Sequence, residues 1–155
     1  MTLHLVRHAN AGDRSRWHGG DDLERPLSES GHEQAEAISA WFGDRPIRGV
    51  WSSIAVRCSQ TVGPLAARLG LEVEARRELT EGARPAVLLE LMRDEALLDG
   101  ELVMCSHGDL IPEVLNRLLR EGMVITGGRG CEKGSIWTLD VRGRVIVSGA
   151  YTARP

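Results

Sequence analysis

Hydrophobic positions along this chain follow two alternating rhythms. Residues 2–6 form a short apolar run of strand length, and a polar, glycine-bearing stretch follows from residue 8 to about 27. A loop that long inside a compact domain is uncommon unless it serves a function. Ser28 suits the N-cap of a helix running through Phe42, with Ala35, Ile38 and Phe42 at i, i+3 and i+7. Residues 49–52 predict a second strand, followed by a helix over residues 55–69 that Pro64 is expected to bend or interrupt before Gly70 ends it.

Residues 71–73 read as a short strand and residues 75–84 as irregular, before Pro85 opens a helix with Val87, Leu88 and Leu91 on one face. Residues 101–105, nearly continuous in apolar side chains, predict a central strand. The helix after it places Leu110, Val114 and Leu118 on one side, with Ile111 and Leu115 adjoining. The glycine-rich residues 122–133 read as loop, and residues 135–141 and 144–148 as a closing hairpin or two consecutive strands. Strands alternating with helices predict an α/β domain, a three-layer α/β/α sandwich around a mostly parallel sheet.

Composition narrows this picture. A chain of 155 residues fits one domain spanning 1–155, large enough for a core without metal or disulfide staples. With 19 basic and 22 acidic side chains, the net charge of −3 gives no reason to expect a nucleic-acid polymer as partner. Three cysteines without paired spacing suggest neither a disulfide framework nor a zinc site, and a cytoplasmic setting is the simplest expectation. The first residues lack the pattern of a signal peptide, and no apolar run reaches bilayer length, so no membrane association is expected. Oligomeric state has no signature in the sequence.

The chemistry collects at strand-to-helix junctions. Arg7-His8 follows the first strand, Arg57 lies in the first turn after the second, and Ser106-His107-Gly108-Asp109 follows the apolar strand. Open α/β sheets bind ligands beyond the carboxyl ends of their strands, so parallel strands would bring all three motifs to one crevice. Two guanidiniums and two imidazoles there suit a phosphoryl group. Arginine stays charged and offers phosphate oxygens a planar fork of donors.

In Leu5-Val6-Arg7-His8, Arg25-Pro26-Leu27 before Gly31 and Gln34-Ala35, Ser53 with Arg57 and Gln60-Thr61, Leu79-Thr80-Glu81, and Ser106-His107-Gly108, the chain resembles the histidine phosphatase superfamily. That group includes phosphoglycerate mutases and SixA-type phosphohistidine phosphatases. A closer likeness is to the phosphatase domain that follows a Nudix domain in mycobacterial MutT-like proteins. It is carried by Gly20-Asp21-Asp22 before Arg25, by Pro64-Leu65-Ala66-Ala67, Ile111-Pro112, and Lys133-Gly134-Ser135 before Trp137. No Nudix box is present, so the likeness is to the phosphatase unit.

The resemblance implies a phosphoglycerate mutase-like fold and a metal-independent, cofactor-free phosphatase in which His8 attacks phosphorus. Arg7, Arg57 and His107 would hold the non-bridging oxygens, with His107 as a donor, and Glu81 would protonate the leaving oxygen. Glu81 has an alternative reading as a solvated loop carboxylate. Its presence favours phosphate esters or anhydrides, because SixA-type enzymes commonly lack such an acid. Ala9 stands where the family usually has glycine, which is tolerable if the backbone there keeps φ below zero.

Arg14, Arg16, Trp17 and Lys133 are candidates for a substrate rim, together with Arg25, and Trp17 could stack on a base. The alternative is that Arg25 ties down the loop through Asp21 or Asp22 while Trp17 packs as a lid. His4 reads as a strand-face residue, and His18 and His32 as surface groups. The expected partner is a phosphorylated small molecule such as a nucleotide; the alternatives are phosphohistidine on a protein and a non-catalytic phosphate-binding module.

Overall fold

The alternation of strand and helix patterns becomes a seven-stranded sheet between two helical layers. In a computed structural model, which describes all 155 residues, the strands are β1 (Thr2–Arg7), β2 (Ile47–Ser52), β3 (Val73–Ala75), β4 (Glu101–Ser106), β5 (Val124–Thr126), β6 (Ile136–Arg142) and β7 (Val145–Thr152). The helices are α1 (Glu29–Phe42), α2 (Val56–Leu69), α3 (Pro85–Glu95) and α4 (Leu110–Arg120). Strand order is β3-β2-β4-β1-β6-β7-β5. Pairing is parallel from β3 through β1 and between β7 and β5, while β6 lies antiparallel to both β1 and β7.

Period-two side-chain alternation divides the core between the faces. Leu3 and Leu5 of β1, with Leu102 and Met104 of β4, face a cluster built from α3 and α4. Val6, Val103 and Cys105 point the other way, onto α1 and α2 through Ile38, Phe42, Val62 and Leu65. His4 lies on this second face, fully buried. Its Nε2 is 2.7 Å from the Glu101 carboxylate and its ring stands edge-on to Phe42, so it is a packed strand residue as expected.

Several elements depart from the sequence pattern. Helix α2 runs unbroken through Pro64, and β3 begins at Val73, two residues later than its apolar run. The buried face of α3 is Leu88, Leu89 and Met92, whereas Val87 is exposed. The glycine-rich stretch contains β5, a three-residue strand added in parallel to β7, and β6 and β7 form the hairpin. The sheet's middle position belongs to β1, with β4 beside it. No helix is long and apolar enough to cross a membrane.

Candidate active site

Strand register sets the geometry of the site. Arg7 of β1 pairs with Ser106 of β4, and Ser52 of β2 pairs with Cys105, so three chain segments leave the sheet at one level. The His8 amide donates to the Ser106 carbonyl at 3.0 Å, and the Ser53 amide donates to the Cys105 carbonyl at 3.0 Å. His8 and His107 emerge side by side, their ring centroids 5.4 Å apart. Arg57, in the first turn of α2, enters from the third junction with its Nη2 3.5 Å from His107 Nδ1. All three open into a crater of about 480 Å³ with no hydrophobic side chain in its wall. Five cations (Arg7, Arg14, Arg25, Arg57, Lys133) and three carboxylates (Asp13, Glu81, Asp109) line it.

His8 is held in one tautomer. Its Nδ1 lies 2.8 Å from the Ala9 carbonyl, which can only accept, so Nδ1 carries the hydrogen and Nε2 keeps its lone pair. Burial pushes the imidazole down to about 3, and the nearby His107, Arg57 and Arg7 act in the same direction against the Ala9 hydrogen bond. The ring is therefore neutral at physiological pH. Behind it, Thr61 Oγ accepts the Ala9 amide at 2.9 Å and donates to the Arg57 carbonyl at 2.6 Å, tying the His8 turn to α2. Ala9 keeps φ below zero, as its side chain requires.

On the other ring, His107 Nε2 is 2.8 Å from Ser53 Oγ, which also accepts the Ala55 amide. Because a guanidinium only donates, the Arg57 contact makes Nδ1 the acceptor and Nε2–H the donor to Ser53 Oγ; in the other tautomer the serine hydroxyl donates to Nε2 and Nδ1–H can donate toward an anion beside Arg57. Arg7 lies across Gly108: a Cβ there would fall 2.6 Å from the guanidinium carbon. Glycine after His107 is therefore what lets Arg7 lie flat, with its Nη1 donating to the Cys131 carbonyl at 2.6 Å. Arg7 and Arg57, both in the crater wall, each have a buried Nε–H without a protein acceptor.

Glu81 reaches the crater from the segment between β3 and α3. Both its oxygens take Arg14 Nη2, at 2.8 and 2.9 Å, and Oε2 also takes Arg57 Nη2 at 3.1 Å. Of the expected rim, Arg14 and Lys133 line the crater. Arg16 and Trp17 do not. They belong to an adjoining groove of about 210 Å³ that shares Gly12, Asp13 and Arg25 with the crater wall. The turn at residues 14–16, capped by Asp13, carries Arg16 outward into solvent. Trp17 then packs its six-membered ring on Gly19 and donates Nε1–H to the Asp21 carbonyl. His18 and His32 are exposed, and Glu78 is not part of the crater wall.

The loop over residues 8–27 is anchored near both ends. Gln34 Oε1 accepts the Asn10 amide and Gln60 Oε1 the Leu27 amide, each at 2.9 Å, while Arg25 donates to the Ala11 carbonyl and to Asp22. Asp22, one of the two carboxylates expected to pair with Arg25, does so and also meets Arg57 and Arg14.

A family model described as the histidine phosphatase superfamily (branch 1) matches residues 3–87. The 8-oxo-(d)GTP phosphatase of Mycolicibacterium smegmatis is 33% identical over 157 residues, an alignment covering 99% of this chain and 48% of that protein. The chain thus spans about half that relative's length. Among solved structures, the protein histidine phosphatase SixA complexed with tungstate has a TM-score of 0.76 at 18% identity, covering 99% of this chain and 95% of its own. A mycobacterial glucosyl-3-phosphoglycerate phosphatase complexed with VO3 has a TM-score of 0.68 at 21% identity, covering 90% and 92%. These two likenesses establish the fold, which is the α/β sandwich expected. The chain belongs to the histidine phosphatase superfamily, branch 1.

Proposed function

We propose that this chain hydrolyses a phosphate ester or anhydride of a small molecule through a phosphohistidine on His8. The observation that carries the reading is the pinned His8 tautomer, whose free Nε2 belongs to a crater walled by Arg7, Arg57 and His107. Nε2 attacks phosphorus while the bond to the leaving oxygen breaks, and water then hydrolyses the phosphohistidine, dividing one displacement into two. Arg7, Arg57 and His107 stabilise the non-bridging oxygens as charge redistributes in line. An incoming phosphoryl group competes with Glu81 for Arg57. Glu81, released from one of its two arginine partners and carrying a proton taken up from the monoanionic substrate phosphate, passes that proton to the leaving oxygen and later takes one from the attacking water.

Two features favour a small phosphorylated molecule. Arg14 and Lys133 add cations at the crater rim, enough for a second anionic group. The neighbouring groove offers the leaving group a route past Arg25 to the indole of Trp17, against which an aromatic base would lie. The 33%-identical relative named as an 8-oxo-(d)GTP phosphatase supports a nucleotide as one such substrate.

Leaving-group dependence tests this reading. Wild-type protein should hydrolyse phenyl phosphate, and Glu81→Gln should slow that reaction on the order of 10²-fold or more while slowing a phosphoramidate much less. Equal slowing of both removes Glu81 from the acid role. No turnover of either substrate by wild type contradicts phosphatase activity, and faster turnover of a phosphohistidine peptide than of any small phosphate contradicts the substrate class.

A further inference from the structure

Arg57 is gripped from behind by a residue outside the crater wall. Asp22, in the short turn of residues 22–24 within the long loop, takes Arg57 Nη1 twice, at its backbone carbonyl (2.9 Å) and at its carboxylate (3.3 Å). The same carboxylate meets Arg25 Nε at 2.9 Å and Arg14 Nη2 at 3.2 Å. Thus one carboxylate stands among three of the crater's five cations, two from the long loop and one from α2, without lining the crater itself.

Two physical consequences follow. A guanidinium is a rigid fork, so fixing the Nη1 edge of Arg57 fixes where its Nη2 edge points, which is toward His107 and Glu81. Arg57 is also almost completely buried, at 1% exposure, where an uncompensated charge is costly; Asp22 supplies a permanent counter-charge that remains when Glu81 is displaced. That counter-charge weakens the pull of the crater on every anion, including the phosphate released at the end of the cycle. Hydrogen bonding from Arg25, reinforced by the charges of Arg57 and Arg14, holds the Asp22 carboxyl below the ordinary carboxylate range.

We propose that Asp22 is a positioning and charge-setting residue for the phosphate site: it aims Arg57 for turnover and keeps the crater from retaining product phosphate. The inference rests on the reading of the crater as a phosphate site. It predicts opposite effects on two quantities that a merely structural role would move together. In Asp22→Asn, kcat should fall about ten- to a hundredfold, while inorganic phosphate, measured by calorimetry on the folded protein, should bind on the order of tenfold more tightly. Asp22→Glu keeps the charge but displaces its oxygens, so phosphate affinity should stay within about twofold of wild type while kcat still falls.

Phosphate binding by Asp22→Asn that is unchanged, or weakened in step with kcat, overturns the proposal. If Asp22→Asn does not fold, Asp22→Glu decides: unaltered kcat, or lost phosphate affinity, is the contrary result. Wild-type protein that binds no phosphate would remove the site reading itself. Wild-type binding and turnover with an indifferent Asp22→Asn would remove only this inference.

Discussion

At the scale of the residue, the proposed chemistry depends on keeping a histidine unprotonated among arginines. His8 is brought down to about 3 chiefly by burial, against an ordinary value of 6.5 in an unfolded chain. Between those values the unfolded chain takes up a proton that the folded chain refuses, so the stability associated with His8 is complete above pH 6.5 and is lost as pH falls toward 3. The slope is up to about 1.4 kcal/mol per pH unit. Urea unfolding of wild type and His8→Asn between pH 7 and 4.5 should show the wild type losing stability faster on acidification. Parallel curves would mean that His8 is not held neutral by the fold.

The residues of this site were legible because each has a fixed neighbour in sequence that its task requires. His107 precedes Gly108, the residue that makes room for Arg7, and Arg57 precedes the Gln60-Thr61 pair that ties the loop and the His8 turn to α2. That Trp17 and Arg16 line an adjoining groove rather than the crater was not legible. Their distance from the crater depends on the turn that Asp13 caps and on the path of the loop around Arg25, neither of which leaves a periodic trace.

At the scale of the element, helix α1 and the long loop are built as one piece. Ser28 caps α1 by accepting the Gly31 amide at 3.1 Å and also donates to Asn10, and Gly31 lies so close to the loop that a Cβ would sit 1.9 Å from the Asn10 carbonyl oxygen. Alanine would ordinarily favour a helix by about 1 kcal/mol over glycine. Here the clash with backbone should win, costing about 1–3 kcal/mol. Gly31→Ala should therefore lower Tm by several degrees and reduce turnover, as followed by calorimetry and initial rates. A higher Tm would show that the loop yields easily.

Elements with long amphipathic patterns were readable from the chain: α1 begins after Ser28 as expected, and α4 buries every apolar residue assigned to its face. The exceptions have local causes. A three-residue strand such as β5 is too short for its pattern to stand out among glycines, and it exists through pairing with β7. Val87 shared a helical face with Leu88 and Leu91 on paper, yet α3 turns Leu88, Leu89 and Met92 inward, a rotation set by its packing against the sheet and α4.

At the scale of the whole molecule, parallel pairing of β2, β4 and β1 brings three distant segments to one crater lined by five cations. The two core clusters on either side of the sheet hold those strand ends in register, and the loop over residues 8–27 closes one wall of the crater. Mass and charge gave no hint of this site, since a net charge of −3 conceals a local excess of cations. The central claim is that Nε2 of His8 becomes covalently phosphorylated during turnover. Rapid denaturing quench of the protein with ³²P-labelled substrate, followed by alkaline hydrolysis, should yield label as Nε2-phosphohistidine in wild type and none in folded His8→Asn. Label on another residue, or equal labelling of the variant, would contradict the account.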